Sequence, residues 1–326
     1  MPKVSVIIPI YNVAQYMEHC ARSLFEQTLD DIEYIFVNDC TQDNSMAILS
    51  NVISNYPTRT AQIKIVNHDT NKGLPAARRS GLAIATGDYV IHCDSDDWVE
   101  KDMAEVLYKT AISTSADLVL CDSYKEYFDY REVLRNPKTV TDKHTIISNI
   151  LEENIFHYLW SGISKRSIYT NNAINWPVKN TAEDFVLMVQ LAYYASKISF
   201  CDNVLYHYRF NPTSTTGDLS KERSIKRCKE VKDNIQLILD FLDNHALFQG
   251  YHSECLLLKY SVRKQLKPFI NDKKIYALWK GVFPEIEKQF LKDNGIALKH
   301  KISYLISFLR LEPYYRPIYN WILKRK

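Results

Sequence analysis

"YVIHCDSDDWVE", residues 89–100, decides how this chain is read. Tyr89, Val90 and Ile91 form a short apolar run suited to a buried strand. Asp94, Asp96 and Asp97 follow at once. Carboxylates that close repel one another, so gathering them where a strand leaves the core calls for a positive partner. A strand buried on both faces belongs to a parallel sheet, and such sheets hold their ligands beyond the carboxyl ends of the strands.

The same pattern runs through the first 125 residues. Apolar, β-branched runs lie at Val4–Pro9, Glu33–Val37, Ile63–Val66, Tyr89–Cys93 and Leu118–Cys121. Helix-compatible segments lie between them at Val13–Thr28, Ser45–Asn55, Pro75–Thr86 and Lys101–Thr114. Strands alternating with helices predict βαβ units and an α/β class. The ends of the first, second and fourth strands, at Pro9-Ile10-Tyr11-Asn12, Asn38-Asp39-Cys40-Thr41 and Asp94-Ser95-Asp96-Asp97, should then open on one edge. Residues 183–196 predict a helix and Phe200–Phe210 a strand. After the loop "NPTSTTGD" the pattern turns helical from Lys221, so a boundary is expected near 218–221.

Composition narrows the class. The 326 residues are 46% hydrophobic and 24% charged, ordinary for a globular protein with one large domain and an appendage. A net charge of +3 with no long basic run in the first half argues against nucleic acid as a partner. Cysteines at 20, 40, 93, 121, 201, 228 and 255 show no C-x-x-C spacing and are expected to be reduced core thiols. With no signal-like start and no spanning apolar run, the expected location is cytoplasmic.

Each acidic or basic motif has an ordinary reading beside a chemical one. Asp94-Ser95-Asp96 is either a solvated turn or a pair of oxygen ligands for a hard divalent cation, with Asp97 capping the next helix. Asp39 is either an Asx turn or an acceptor for a nucleobase or ribose. Tyr11 either covers a strand end or stacks on a base. Arg78 and Arg79 follow the turn Asn71-Lys72-Gly73 in the first turns of a helix. Cations there oppose the helix dipole unless they meet an anion or a base. Thr181-x-x-Asp184 reads as a capping box, or Asp184 as a general base. A D-x-D phosphatase needs a small β-branched residue where this chain has Trp98.

In order, "VSVIIPIYNVAQYMEHCARSLFEQTL", "EYIFVNDCTQDNS", "NKGLPAARRSGL" and "GDYVIHCDSDDW" resemble the family 2 glycosyltransferases, closely over about residues 3–125 and loosely to about 216. The resemblance implies a GT-A fold, a Rossmann-like, mostly parallel sheet flanked by helices. It implies a catalytic domain over 1–218, with a nucleotide-binding half to about 125 and an acceptor half beyond, then a helical region over 219–326. The implied activity is inverting transfer of a hexosyl or N-acetylhexosaminyl group. The donor would be a nucleotide-sugar, usually a UDP-sugar, used with Mg²⁺ or Mn²⁺, and the acceptor a glycan or lipid-linked hydroxyl in surface polysaccharide synthesis. Pro9, Tyr11, Asp39, Arg78, Asp94 and Arg209 would contact the nucleotide, Asp96 the metal, and Asp184 would be the base. Three positions depart from the family pattern: Cys40 replaces a glycine, Arg79 an asparagine, and Ser161-Gly162 follow Trp160 where an Asn-Lys pair is usual. The alternative is a non-catalytic nucleotide- or glycan-binding partner subunit.

The C-terminal "IALKHKISYLISFLRL", residues 296–311, puts Ile302, Leu305, Ile306 and Leu309 on one stripe and Lys299, Ser303, Ser307 and Arg310 opposite. With "YYRPIYNWILKRK" after Pro313, it predicts either a peripheral contact with the inner face of the plasma membrane or a helix packed on the catalytic domain.

Overall fold

The computed structural model describes residues 2–137, 142–210 and 220–312. The 211–218 loop and the aromatic, basic segment after Pro313 lie outside them. The chain divides into two compact units, residues 1–211 and 212–326.

The first unit opens with β1 (Val4–Ile10), α1 (Ala14–Phe25), β2 (Ile32–Asn38), α2 (Ser45–Ser54), β3 (Ile63–Asn67), α3 (Leu74–Ile84) and β4 (Tyr89–His92). It continues with β5 (Trp98–Val99), α4 (Met103–Thr114), β6 (Leu118–Glu126), β7 (Arg131–Leu134) and α5 (Lys143–Leu151). It closes with β8 (Gly162–Lys165), α6 (Arg166–Asn171), α7 (Glu183–Tyr194) and β9 (Ile198–Arg209). The strands make one sheet in the order β3-β2-β1-β4-β8-β6-β9-β5, with β7 beside β6.

Every residue of β1 is buried, because helices cover both sides of the sheet. Val4, Val6, Ile8 and Ile10 face the large core that also holds Met17, Leu24, Leu49 and Leu107. On the opposite face α3 sits close: a Cβ at Gly81 would come within 2.5 Å of the Ile7 side chain. β1 pairs in parallel with β2 on one side and with β4 on the other. The chain therefore changes direction at β1, and a doubly wound sheet opens a ligand crevice at that switch point.

The sheet is mixed beyond β4. Leu118–Cys121 does begin a strand, but β8 lies between β4 and β6, antiparallel to both. β5, β7 and β8 had no signal in the hydrophobic pattern, being two to four residues long. Gly162 explains the close pairing at β8. A Cβ there would sit 2.0 Å from the Val119 carbonyl oxygen. The departure from the family pattern after Trp160 is thus tied to strand packing.

The second unit contains α8 (Lys221–Asn244), α9 (His252–Lys264), α10 (Lys273–Gly281), α11 (Ile286–Gln289) and α12 (Leu298–Phe308). Its core centres on Tyr260, Trp279, Phe290 and Tyr304, all buried. Arg263, fully enclosed, donates to the carbonyls of Lys280, Val282 and Phe283 and lies 4.5 Å over the Trp279 ring. No helix among the described residues is long and apolar enough to cross a membrane. All seven cysteines are free, and six are buried.

Replacing Gly162 with alanine should force β8 from β6 and cost roughly 1–3 kcal/mol. A urea-unfolding midpoint unchanged in Gly162→Ala would contradict this account of the strand.

Candidate active site

The loops at the switch point are held by side chains that accept backbone N–H groups. Asp43 does most of this. Its carboxylate takes the N–H of Ala14 at 2.8 Å, the hydroxyl of Thr41 at 2.8 Å and the N–H of Ser45 at 3.1 Å. The start of α1 is thereby tied to the loop after β2, a role the sequence reading missed. Asn12 (φ 54°) and Cys40 (φ 58°) both adopt left-handed backbone at these strand ends. Cys40 thus keeps the conformation a glycine would supply, at a steric cost of about 1–2 kcal/mol. Pro9 is buried in β1, where its carbonyl accepts the Ser95 hydroxyl at 2.6 Å. Tyr11 is 44% exposed at the edge.

Asp39 is buried, and its carboxylate accepts the N–H groups of Lys72 and Gly73, both at 2.8 Å. The same carboxylate lies 2.7 Å from Nδ1 of His68, whose Nε2 lies 2.8 Å from the Ser80 hydroxyl. Its first task is therefore to hold the turn that begins α3. That turn requires Gly73, which has φ 88° and lies where a Cβ would come within 2.6 Å of Asn180. His68 carried no sequence signal, because its partners are far away along the chain.

The acidic triplet divides by role. Asp94 accepts from Nη2 of Arg78 at 2.9 Å. Asp96 lies in the same turn, and its carboxyl is pushed up to about 6, by burial first and then by the charge of Asp94. Asp97 is no helix cap, since β5 follows it and α4 begins after Asp102. It is an interior acceptor, taking the Tyr206 hydroxyl at 2.8 Å and the Arg209 N–H at 2.7 Å. Arg209 also donates from Nε to the Asp96 carbonyl at 3.1 Å, with its guanidinium 4.5 Å over the Trp98 ring.

Arg78 departs most from expectation. It is only 1% exposed, enclosed beneath the carboxylates, and Nη2 also reaches Glu183 at 3.5 Å. Burial lowers its proton affinity, yet the charges of Asp94, Glu183 and Asp184 more than offset that and hold it protonated. Arg79 is exposed. Nor does a capping box start α7. Ala182, in left-handed backbone at φ 64°, precedes the helix with no side-chain cap. Asp184 Oδ1 instead accepts the N–H of Phe185 at 2.9 Å. Glu183 is buried, and burial with the adjacent Asp184 charge pushes its carboxyl up. Burial also raises that of Asp184, against the pull of His157 and Arg78.

An aromatic wall, unforeseen in the sequence, stands beside these acids. Trp160 stacks on Tyr158 at 4.8 Å, on Tyr206 at 4.4 Å and on Tyr208 at 5.7 Å. The Tyr158 hydroxyl is pushed up to about 12, by burial first and then by Asp184.

Among the described residues, no group of three or more His, Cys, Asp or Glu side chains is arranged to hold a metal by itself. Asp94 and Asp96 are two carboxylates of one turn, the first of them paired with Arg78. Such a pair fits a hard divalent ion whose remaining ligands are water and substrate phosphate oxygens.

Comparison with known proteins agrees with this architecture. The model of "Glycosyl transferase family 2" matches residues 5–174. The uncharacterized glycosyltransferase EpsJ of Bacillus subtilis is 32% identical over 225 residues. That alignment takes in 66% of this chain and 63% of EpsJ, so under two thirds of that relative is spanned. The crystal structure of S. aureus TarS 1-349 in complex with UDP-GlcNAc matches with a TM-score of 0.58 at 19% identity, covering 89% of this chain and 84% of that one. A mannosyltransferase from Pyrobaculum calidifontis in complex with GDP-Man and Mn²⁺ matches with a TM-score of 0.58 at 15% identity, over 98% and 83%. With a family match over just more than half its length and a GT-A sheet opening at β1, the chain belongs to glycosyltransferase family 2.

Proposed function

We propose that this chain is an inverting glycosyltransferase that moves a sugar from a UDP-sugar to a hydroxyl of a glycan or lipid-linked acceptor in surface polysaccharide synthesis. The observation that carries the reading is the Arg78 bridge. It ties Asp94, at the nucleotide edge of the sheet, to Glu183, the neighbour of Asp184. TarS binding UDP-GlcNAc supports a UDP donor.

The chemistry follows from where charge moves. The acceptor oxygen attacks the anomeric carbon as the bond to the diphosphate oxygen breaks, and the nucleoside diphosphate leaves with the electron pair. Asp184 takes the acceptor proton. Its raised proton affinity makes it a stronger base than an exposed aspartate. Glu183 is buried against Arg78 and serves to hold that guanidinium, which leaves one base and no second nucleophile. A single displacement with inversion is the outcome. Asp94 and Asp96 would hold Mg²⁺ or Mn²⁺, which when bound supplies Lewis-acid stabilisation of the leaving diphosphate. In this reading Arg209 would add positive charge from beside Asp96, Tyr11 and Pro9 would border the base, and Asp39 would accept its N–H. Arg78 acts through Asp94, which it orients.

Asp184→Asn should lower turnover by about 10²–10⁴-fold while UDP affinity holds. A variant as active as the parent would remove the base. A base must lose its proton to act, so the parent's rate should rise with pH through a value above the usual aspartate range. That acidic limb should vanish in Asp184→Asn, as read from initial rates across pH.

Asp96→Ala should weaken UDP binding in the presence of Mn²⁺ and leave it unchanged with chelator, by isothermal titration. Equal weakening in both conditions would rule out a role for Asp96 at a metal.

A further inference from the structure

Helix α12 buries Tyr304 and Ser307 in the unit's own interior. The Ser307 hydroxyl lies 2.8 Å from Glu312, and the Ser303 hydroxyl meets Tyr260 at 2.9 Å and the Lys267 ammonium at 3.0 Å. Four apolar residues face outward: Leu298 is 70% exposed, Ile302 44%, Leu305 38% and Leu309 58%. Spaced at i, i+4, i+7 and i+11, they form one continuous stripe. Scattered exposed apolar residues need no explanation, but four on one stripe of a helix whose serines hydrogen-bond inward mark a surface meant for an apolar partner.

The charges around the stripe select the partner. By helical position, Lys301 borders one side and Lys299 the other. The single acid in residues 298–312 is Glu312, whose carboxylate is held 3.0 Å from Lys267. Residues 313–326 add Arg316, Lys324, Arg325 and Lys326 with no acid, and carry Tyr314, Tyr315, Tyr319 and Trp321. A second copy laid on the stripe would set lysine against lysine. An anionic lipid surface suits the stripe: acyl chains for its apolar side chains and phosphate for the lysines beside it.

We propose that the outward face of α12 docks on anionic lipid, with Leu298, Ile302, Leu305 and Leu309 entering the headgroup–acyl boundary and Lys299 and Lys301 reaching back to phosphate. This surface is independent of the donor chemistry, so its test does not depend on transferase activity. The 326-residue chain is mixed with vesicles of phosphatidylcholine alone or of phosphatidylcholine with phosphatidylglycerol, and flotation is measured. Binding should require phosphatidylglycerol and weaken with salt. Ile302→Glu with Leu305→Glu should reduce it by at least about tenfold. Lys299→Glu with Lys301→Glu should reduce it too, and thermal midpoints without vesicles should hold for both pairs. Absence of flotation, equal flotation on phosphatidylcholine alone, or flotation untouched by either pair would overturn the proposal. So would a dimer in solution that the Ile302→Glu, Leu305→Glu pair dissociates, which would assign the stripe to a second copy.

Discussion

A guanidinium taken out of water has to be surrounded by negative charge, and Arg78 meets that demand by drawing together chain segments that are far apart. Its Nη2 reaches Asp94, just past β4, and Glu183, at the start of α7. Glu183 depends on it as an anion. Burial and the neighbouring acids already raise the proton affinities of Glu183 and Asp184, and losing the cation would push them further toward the neutral form. The bridge therefore does two things at once. It fixes the distance between Asp94, just past β4, and the start of α7, and its positive charge pulls the proton affinities of Glu183 and Asp184 down against their burial.

The backbone around this bridge is held in unfavourable conformations. Asn12, Cys40 and Ala182 all have positive φ, and each lies directly beside a residue with a proposed role: Tyr11, Asp39 and Glu183. Asparagine tolerates this region; cysteine and alanine do so at a cost. The cost is sustained by cooperative hydrogen bonding nearby, as where Asp43 gathers donors from Ala14, Thr41 and Ser45. Local strain of this kind is found where side chains must be aimed and not merely packed.

How much of this was readable in advance depends on the range of the interaction. The four parallel strands and their helices were legible, because alternating hydrophobic period is a local property and β1, β2 and β4 each end in a visible polar turn. The D-x-D turn, Asp39 and Asp184 were legible as residue types at strand ends and at a helix start. What escaped were properties set by distant partners. Asp97 looks like a cap until Tyr206 and Arg209 arrive from β9. Arg78 looks like an exposed anion contact until α7 closes over it. The two serines of α12 look like its wet face until Tyr260 and Lys267 claim Ser303 and Glu312 claims Ser307. β8 is invisible because its defining feature is a missing side chain at Gly162.

That short strand has a consequence for how the catalytic unit could have arisen or could be divided. β8 belongs to the later part of the unit yet is inserted between β4 and β6, both from the earlier part. A fragment ending near residue 125 would expose two unpaired strand edges facing each other and would leave Arg78 without its second counter-ion. The first 125 residues are thus no detachable cassette: cut free, they would lose both the strand that joins β4 to β6 and the Glu183 carboxylate that helps hold Arg78.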